Sequence, residues 1–141
     1  MKTLTALLLT IFITSAAHGA GDGWTTDIRA AFAKAKKENK KILVEFTGSD
    51  WCKPCIEMKK NVFSKKSFTS KASEKFILVE LDFPTGNEAL SRKNEPYAEK
   101  LGVDAFPTVI LFNSDGKEYN RFLAQNYPTV DKFLTHLATA K

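Results

Sequence analysis

The sequence predicts an α/β protein in which a mixed central sheet of about four to five strands carries helices on both faces. Three apolar runs, at residues 41–46, 76–82 and 108–112, are short and rich in β-branched or aromatic residues, as buried strands are. Segments with helical spacing of apolar residues separate these runs. An Asp-Gly turn at residues 115–116 follows the third run and predicts a hairpin.

The first half of the chain predicts a helix, a strand and a second helix. One of residues 25–27 can cap a first helix that runs to about Asn39, and the strand over 41–46 follows. The next helix should run from about residue 53 to residue 62 or 63. Residues 64–73 predict either another helix or a turn-rich connection, because serine and threonine favour turns over helix interiors.

The second half contains the remaining strands. A helix over residues 88–101 should follow the strand at 76–82, with Pro96 either beginning it or splitting it. An edge strand over 117–123 returns from the hairpin, and Pro128 opens a last helix. The first two strands are joined through a helix and should be parallel with a right-handed crossover, whereas the last two should be antiparallel.

The first twenty residues differ from the rest in composition. Lys2 is followed by an apolar run from Leu4 to Ile13 and then by small residues. This pattern is typical of a secretory signal peptide, here residues 1–19 with cleavage after about residue 17 to 20. The folded domain is then 21–141. Neither the signal nor any later segment is long enough to span a bilayer, so we expect no integral membrane protein.

Overall composition indicates one compact domain. Hydrophobic residues make up 43% of the 141 residues and charged residues 26%, which argues against disorder. The net charge of +5 comes from lysines spread over several segments. Without a recognition motif, this excess does not predict nucleic-acid binding.

The two cysteines of the chain, Cys52 and Cys55, are the most informative feature. They follow a predicted strand and open a predicted helix. The unpaired N–H groups at a helix start favour a thiolate at Cys52, which we expect to be partly exposed. Pro54 suits the first helical turn, where a missing N–H costs nothing. The arrangement favours a redox-active pair.

Other uses of the pair are weaker alternatives. A closed zinc site needs four ligands, and His18 and His136 lie far apart in sequence. Haem attachment needs a histidine at position 56, which is isoleucine. A structural bridge over so short a loop would constrain the unfolded chain little. We therefore expect no metal and no cofactor, with a structural bridge or metal carriage as the remaining alternatives.

Taken jointly, the motifs resemble those of the thioredoxin superfamily. The residues that carry the resemblance are an apolar strand ending at 44–46, the motif Trp51 to Cys55, and Phe106-Pro107-Thr108 before another apolar strand. It covers about residues 24–140. The chain is similar to exported bacterial thioredoxin-like proteins and to the C-terminal domain of the membrane thiol:disulfide interchange reductase. The resemblance implies a thioredoxin fold.

The resemblance also implies a role for individual positions. Cys52 would be the attacking nucleophile and Cys55 the resolving thiol. Pro107 would be a cis-proline beside the disulfide, and the backbone of Phe106 would pair with a bound substrate segment. Trp51 would shield the disulfide.

Four further residues are expected to tune the chemistry. Thioredoxins have a buried acid near the end of this strand, which assists proton transfer at the resolving cysteine, and the resemblance implies this role for Glu45. One extra residue separates Glu45 from the cysteine motif, and an outward-facing position is the alternative. Glu80 falls near the position where thioredoxins usually have a lysine that faces this acid. Two glutamates there would repel and raise one pKa. Lys53 and Pro54, between the cysteines, would set the reduction potential.

The resemblance therefore implies an exported thiol:disulfide oxidoreductase, periplasmic or secreted. We expect it to act as a monomer that reduces protein disulfides or relays electrons, with a membrane thiol:disulfide reductase as electron donor. One alternative is an oxidase or isomerase that introduces disulfides. The other is a non-enzymatic module that binds partners or carries metal.

Overall fold

A computed structural model describes residues 21–141, in which a five-stranded mixed sheet lies between two layers of helices. The predicted signal peptide lies outside these residues. The strands are β1 (Trp24–Thr25), β2 (Lys41–Thr47), β3 (Phe76–Asp82), β4 (Thr108–Phe112) and β5 (Glu118–Leu123). The helices are α1 (Ile28–Glu38), α2 (Lys53–Met58), α3 (Lys66–Ala72), α4 (Glu88–Leu101) and α5 (Val130–Thr139). None of these helices is long and apolar enough to cross a membrane.

The strand order is β1-β3-β2-β4-β5, and it confirms the predicted pairings. Strands β2 and β3 are parallel, whereas β4 runs antiparallel to both β2 and the edge strand β5. The two-residue strand β1 was not predicted. It pairs with β3, and its residue Trp24 donates from the indole to the carbonyl of Phe63 at 3.1 Å.

The sheet separates two apolar cores. One core, here called the α1–α4 face, contains the side chains that β2 and β3 send towards α1 and α4. The other, called the α2–α5 face, contains the side chains sent towards α2, α3 and α5, and it holds the aromatic cluster of Phe63, Phe68 and Phe133. Both faces of β2 are therefore buried, which explains its almost continuous apolar sequence.

The helix that carries the cysteines differs from the prediction. The α-helix ends at Met58, and residues Lys59–Phe63 form a π-helical turn, in which the Ser64 N–H donates to the Lys59 carbonyl at 2.9 Å. Such turns are rare and occur often at functional sites. Residues 64–73, left open above, contain the helix α3.

Pro96 neither begins nor splits a helix, so that prediction is wrong. It lies inside the continuous helix α4. Both Pro96 and Arg92, whose carbonyl loses its partner, are exposed, so water can satisfy that carbonyl. The buried Asn94 also anchors this turn by donating to the Asp82 carbonyl at 2.8 Å. The last helix begins at Val130, two residues later than Pro128.

Candidate active site

Cys52 and Cys55 form a disulfide at the beginning of α2. Cys52 is the N-cap residue, and Lys53 and Pro54 occupy the first turn. The side chain of Lys53 is exposed. Cys52 is 5% exposed and Cys55 1% exposed, so Cys52 is more buried than the sequence predicted. The preceding turn folds tightly over this position, because the Cys52 N–H donates to the Gly48 carbonyl at 2.9 Å.

Gly48 places two groups at the disulfide. Its N–H donates to the Cys55 sulfur at 3.5 Å. A Cβ at this position would lie 2.4 Å from Cε2 of Trp51, so the indole rests where only glycine leaves room. Sequence analysis gave Gly48 no role, although a glycine between a strand and a cysteine motif indicates a close approach.

Trp51 joins the cysteine motif to the loop before β4. Its indole N–H donates to the Phe83 carbonyl at 2.7 Å. Its ring packs edge-to-face with that of Phe106, with 5.7 Å between the two ring centroids. The Phe106–Pro107 peptide bond is cis, as expected. Trp51 is 48% exposed and Ile56 47%, so apolar side chains flank the buried disulfide at the surface.

Two polar side chains hold the active-site turn against the end of β3 and the segment that follows it. The Asp50 carboxylate accepts hydrogen bonds from the N–H groups of Thr85 and Gly86, at 2.8 and 2.7 Å. These bonds, with Gly86 contributing most, lower the pKa of Asp50. The N–H and hydroxyl of Ser49 donate to Asp82. Neither residue was predicted, because their partners lie more than thirty positions away in sequence.

Glu45 is completely buried on the α2–α5 face, which excludes the outward-facing alternative. Neither carboxylate oxygen receives a hydrogen bond within the described residues. Burial raises its pKa well above the ordinary value, and the neighbouring charge of Glu80 raises the pKa further. Asp82 acts in the same direction, whereas Lys59 and, more weakly, the neighbouring Thr47 side chain lower the pKa.

Glu80 lies directly beside Glu45, in register on the neighbouring parallel strand. Its buried carboxylate forms an ion pair with Lys59, the first residue of the π-helical turn. Lys59 was also missed by sequence analysis. The available signal was its position four residues after Cys55, one helical turn further on.

A cavity of about 280 Å³ connects these charges to the disulfide. Cys55, Glu80 and Lys59 all line it, together with polar side chains of Thr47 and Ser49. A larger cavity, about 640 Å³, lies beside Lys41 and Phe76 and includes neither cysteine. We therefore take the smaller cavity as the one relevant to the cysteine chemistry. Within residues 21–141 no cluster of metal-binding side chains is found.

Comparison with known proteins agrees with this geometry. A family profile described as a thioredoxin-like domain matches residues 28–141. The disulfide bond reductase DsbH of Chlamydia pneumoniae is 33% identical over 94 residues, which are 64% of this chain and 57% of that protein. The thioredoxin-related protein DsbJ of the same organism is 28% identical over 86% of this chain and 37% of its own length. The chain thus spans about half or less of these curated relatives.

Solved structures give the same fold. The structure of a DsbH oxidoreductase has a TM-score of 0.65 and 29% identity, covering 84% of this chain and 83% of that one. The oxidised C-terminal domain of DsbD from Neisseria meningitidis has a TM-score of 0.60 and 22% identity, covering 80% and 92% of the two chains. At that identity the second likeness concerns the fold alone.

Proposed function

We propose that this chain, which belongs to the thioredoxin-like family, is an exported thiol:disulfide oxidoreductase that reduces protein disulfides or relays electrons through Cys52 and Cys55. The observation that carries the proposal is the disulfide at the start of α2, flanked by the exposed Trp51 and by the loop with the cis Phe106–Pro107 bond. A buried structural bridge would need neither an exposed tryptophan nor a cavity beside its second sulfur that Glu80 and Lys59 also line.

In the first step the Cys52 thiolate attacks a substrate disulfide. A bond forms between Cys52 and one substrate sulfur, and the other sulfur leaves as a thiolate that takes up a proton. The free N–H groups of the first turn of α2 favour the Cys52 thiolate. The exposed side chains of Trp51 and Ile56, together with the half-buried Phe106 before the cis-proline Pro107, offer an apolar surface to an extended substrate segment.

In the second step Cys55 resolves the mixed disulfide. The Cys55 thiol gives up its proton, and its sulfur attacks Cys52 and displaces the substrate thiolate. The N–H of Gly48 is directed at the Cys55 sulfur and can stabilise the thiolate. Glu45 is the proposed proton acceptor, because a carboxyl with a raised pKa is closer to a thiol in proton affinity. Two electrons pass from the dithiol to the substrate.

The direction of electron flow is proposed from the relatives and from the motif. One relative is named a disulfide bond reductase, and several others are named thiol:disulfide interchange proteins. A membrane thiol:disulfide reductase is the proposed donor that reduces Cys52–Cys55 again. Two arguments support the proposal that the protein is exported to the periplasm or secreted. Residues 1–19 have the pattern of a secretory signal peptide, and disulfides persist in oxidising compartments outside the cytosol. A monomer suffices for both chemical steps.

The test is insulin reduction by the dithiothreitol-reduced protein. We expect Cys52→Ser to abolish turnover, because no attacking thiolate remains. We expect Cys55→Ser to accumulate a mixed disulfide between Cys52 and its partner, visible on a non-reducing gel and by intact mass. If Cys52→Ser reduced insulin at the wild-type rate, the proposal would fail.

The competing oxidant function is favoured by one observation, the exposed Lys53 in the first turn beside Cys52. Its charge would stabilise the thiolate and make the pair more oxidising. Equilibration with glutathione or dithiothreitol buffers separates the two functions. A potential near the −270 mV typical of thioredoxin supports a reductase, whereas one near about −120 mV supports an oxidant.

A further inference from the structure

Beneath the active-site helix three acids lie close together, and the ammonium group of Lys59 is paired with one of them. Glu45 and Glu80 are neighbours in register on β2 and β3, and Asp82 follows two positions along β3. Lys59 is the cation that acts on Glu45 and that pairs with Glu80. On the opposite side of Glu45, β4 contributes the apolar Val109 and no charged side chain.

The members of this cluster differ in their access to the cavity beside the disulfide. Glu80 and Lys59 line the same cavity as Cys55, whereas Glu45 lies beside Glu80 on the neighbouring strand and does not line it. The Glu45 carboxylate is wholly buried and receives no hydrogen bond from any residue of 21–141, but Glu80 has the ammonium group of Lys59 as its partner. A negative charge is therefore far better supported on Glu80 than on Glu45.

We propose that Lys59 is a positioning residue for the resolving step, which holds the Glu80 carboxylate at the cavity wall beside Glu45 and thereby sets the pH at which Glu45 can take the proton of Cys55. This inference rests on the proposed exchange at Cys52 and Cys55. Lys59 touches neither the substrate nor the sulfurs in this scheme. It acts through Glu80 and through the field that it exerts on Glu45.

The step balances as follows. The Cys55 thiol of the mixed disulfide transfers its proton to the Glu45–Glu80 pair, by way of the cavity that Cys55 and Glu80 both line. The Cys55 sulfur then bonds to Cys52, the bond between Cys52 and the substrate breaks, and the electron pair of that bond leaves on the substrate thiolate. The proton on the carboxyl pair passes to that thiolate or to solvent, which returns the pair to its starting charge.

The signs of the variants follow from the charges. Lys59→Met removes a cation that lowers the Glu45 pKa, so Glu45 holds its proton to higher pH. Glu80→Gln removes an anion that raises the Glu45 pKa, so the shift is opposite. The double variant loses both influences and should return towards the wild type. A loss of packing would not produce shifts of opposite sign that cancel.

The first experiment measures the resolving step alone. A mixed disulfide of Cys52 with thionitrobenzoate is formed in each variant, and release of the coloured thiolate is followed between about pH 5 and pH 9. We expect Lys59→Met to move the midpoint to higher pH and to slow release several-fold on the acid side. Lys59→Arg should keep the wild-type profile, because it retains the charge.

Lys60→Met is the matched control. Lys60 lines the same cavity and is adjacent in sequence, but it is not the residue paired with Glu80. Its profile should coincide with that of the wild type. If Lys60→Met moved the midpoint as far as Lys59→Met does, a general effect of surface charge would replace the specific role of Lys59.

The second experiment needs no turnover. The side-chain carbon of Glu45 is followed by carbon-13 NMR as the oxidised protein is titrated, and the midpoint should rise in Lys59→Met and fall in Glu80→Gln. Unchanged midpoints in both variants would overturn the inference while leaving the exchange activity intact. Loss of the exchange activity itself is detected separately by the insulin assay with Cys52→Ser.

Discussion

The two faces of the central strands are both largely buried but differ in polarity at one end. On the α1–α4 face, β2 and β3 present an unbroken apolar series: Ile42, Val44 and Phe46, then Ile77, Val79 and Leu81. On the α2–α5 face the same strands begin with apolar residues and end with polar ones: Leu43, Glu45 and Thr47, then Leu78, Glu80 and Asp82. The polar ends lie beneath the helix that carries Cys55.

This difference separates what stabilises the fold from what serves the site. Val44 and Glu45 are adjacent, and each is 0% exposed. Burial of the valine stabilises the folded state, whereas burial of a carboxyl that accepts no hydrogen bond destabilises it. Residues that violate the rule for buried positions occur mainly at functional sites. The position of Glu45 beside the Glu80–Lys59 pair is the violation that the proposed chemistry explains.

The largest effect is expected from placing an amide on the apolar face. Val44→Gln would bury a polar group among side chains that offer it no hydrogen bond and would also lose apolar contact. We expect the free energy of unfolding to fall by about 3 kcal/mol. Urea denaturation followed by circular dichroism measures the change. A loss below about 1 kcal/mol would mean that this face tolerates polarity as the other does.

The same amide one residue later should have the opposite effect. Glu45→Gln removes a carboxyl whose pKa is raised in the folded protein by burial and by Glu80. Such a group binds more protons folded than unfolded, so it makes the wild type less stable as pH rises above the unfolded value of about 4.3. The variant should therefore match the wild type in acid and exceed it at neutral pH.

Urea denaturation of both proteins at several pH values checks this prediction. The difference in free energy of unfolding should grow with pH until Glu45 is ionised in the folded state. A difference that stays constant with pH would mean that Glu45 is already ionised when buried, and it would remove the proton acceptor from the proposed resolving step.

The elements of the fold could be predicted from the sequence because its signals are local. Apolar runs located β2, β3 and β4, and the Asp-Gly turn located the hairpin, where Gly116 has a φ of 85°. Strand β1 could not be predicted, since two residues carry no periodicity. Continuation of the helix through Pro96 depends on exposure and on the Asn94 anchor, which are tertiary properties.

The site was predictable in its chemistry but not in its electrostatics. The cysteine spacing and the Phe106-Pro107 pair are sequence signals, and both lie where the resemblance implied. A strand buried on both faces gives no periodicity that assigns Glu45 to one side. Lys59 pairs with Glu80 only because the π-helical turn and β3 meet in the fold, since the two residues are 21 positions apart in sequence.

The smallest effect is expected at Ser49, which is bonded to Asp82 at the polar end of the α2–α5 face. The Ser49 hydroxyl donates to Asp82 at 2.5 Å, and the Ser49 N–H donates to the same carboxylate at 2.9 Å. Ser49→Ala removes only the hydroxyl bond at an exposed position, so the loss of stability should stay below about 1 kcal/mol. Ser49→Thr should recover it. Equal losses of stability in both variants would mean that the Ser49 hydroxyl adds nothing to the hydrogen bond between the Ser49 N–H and Asp82.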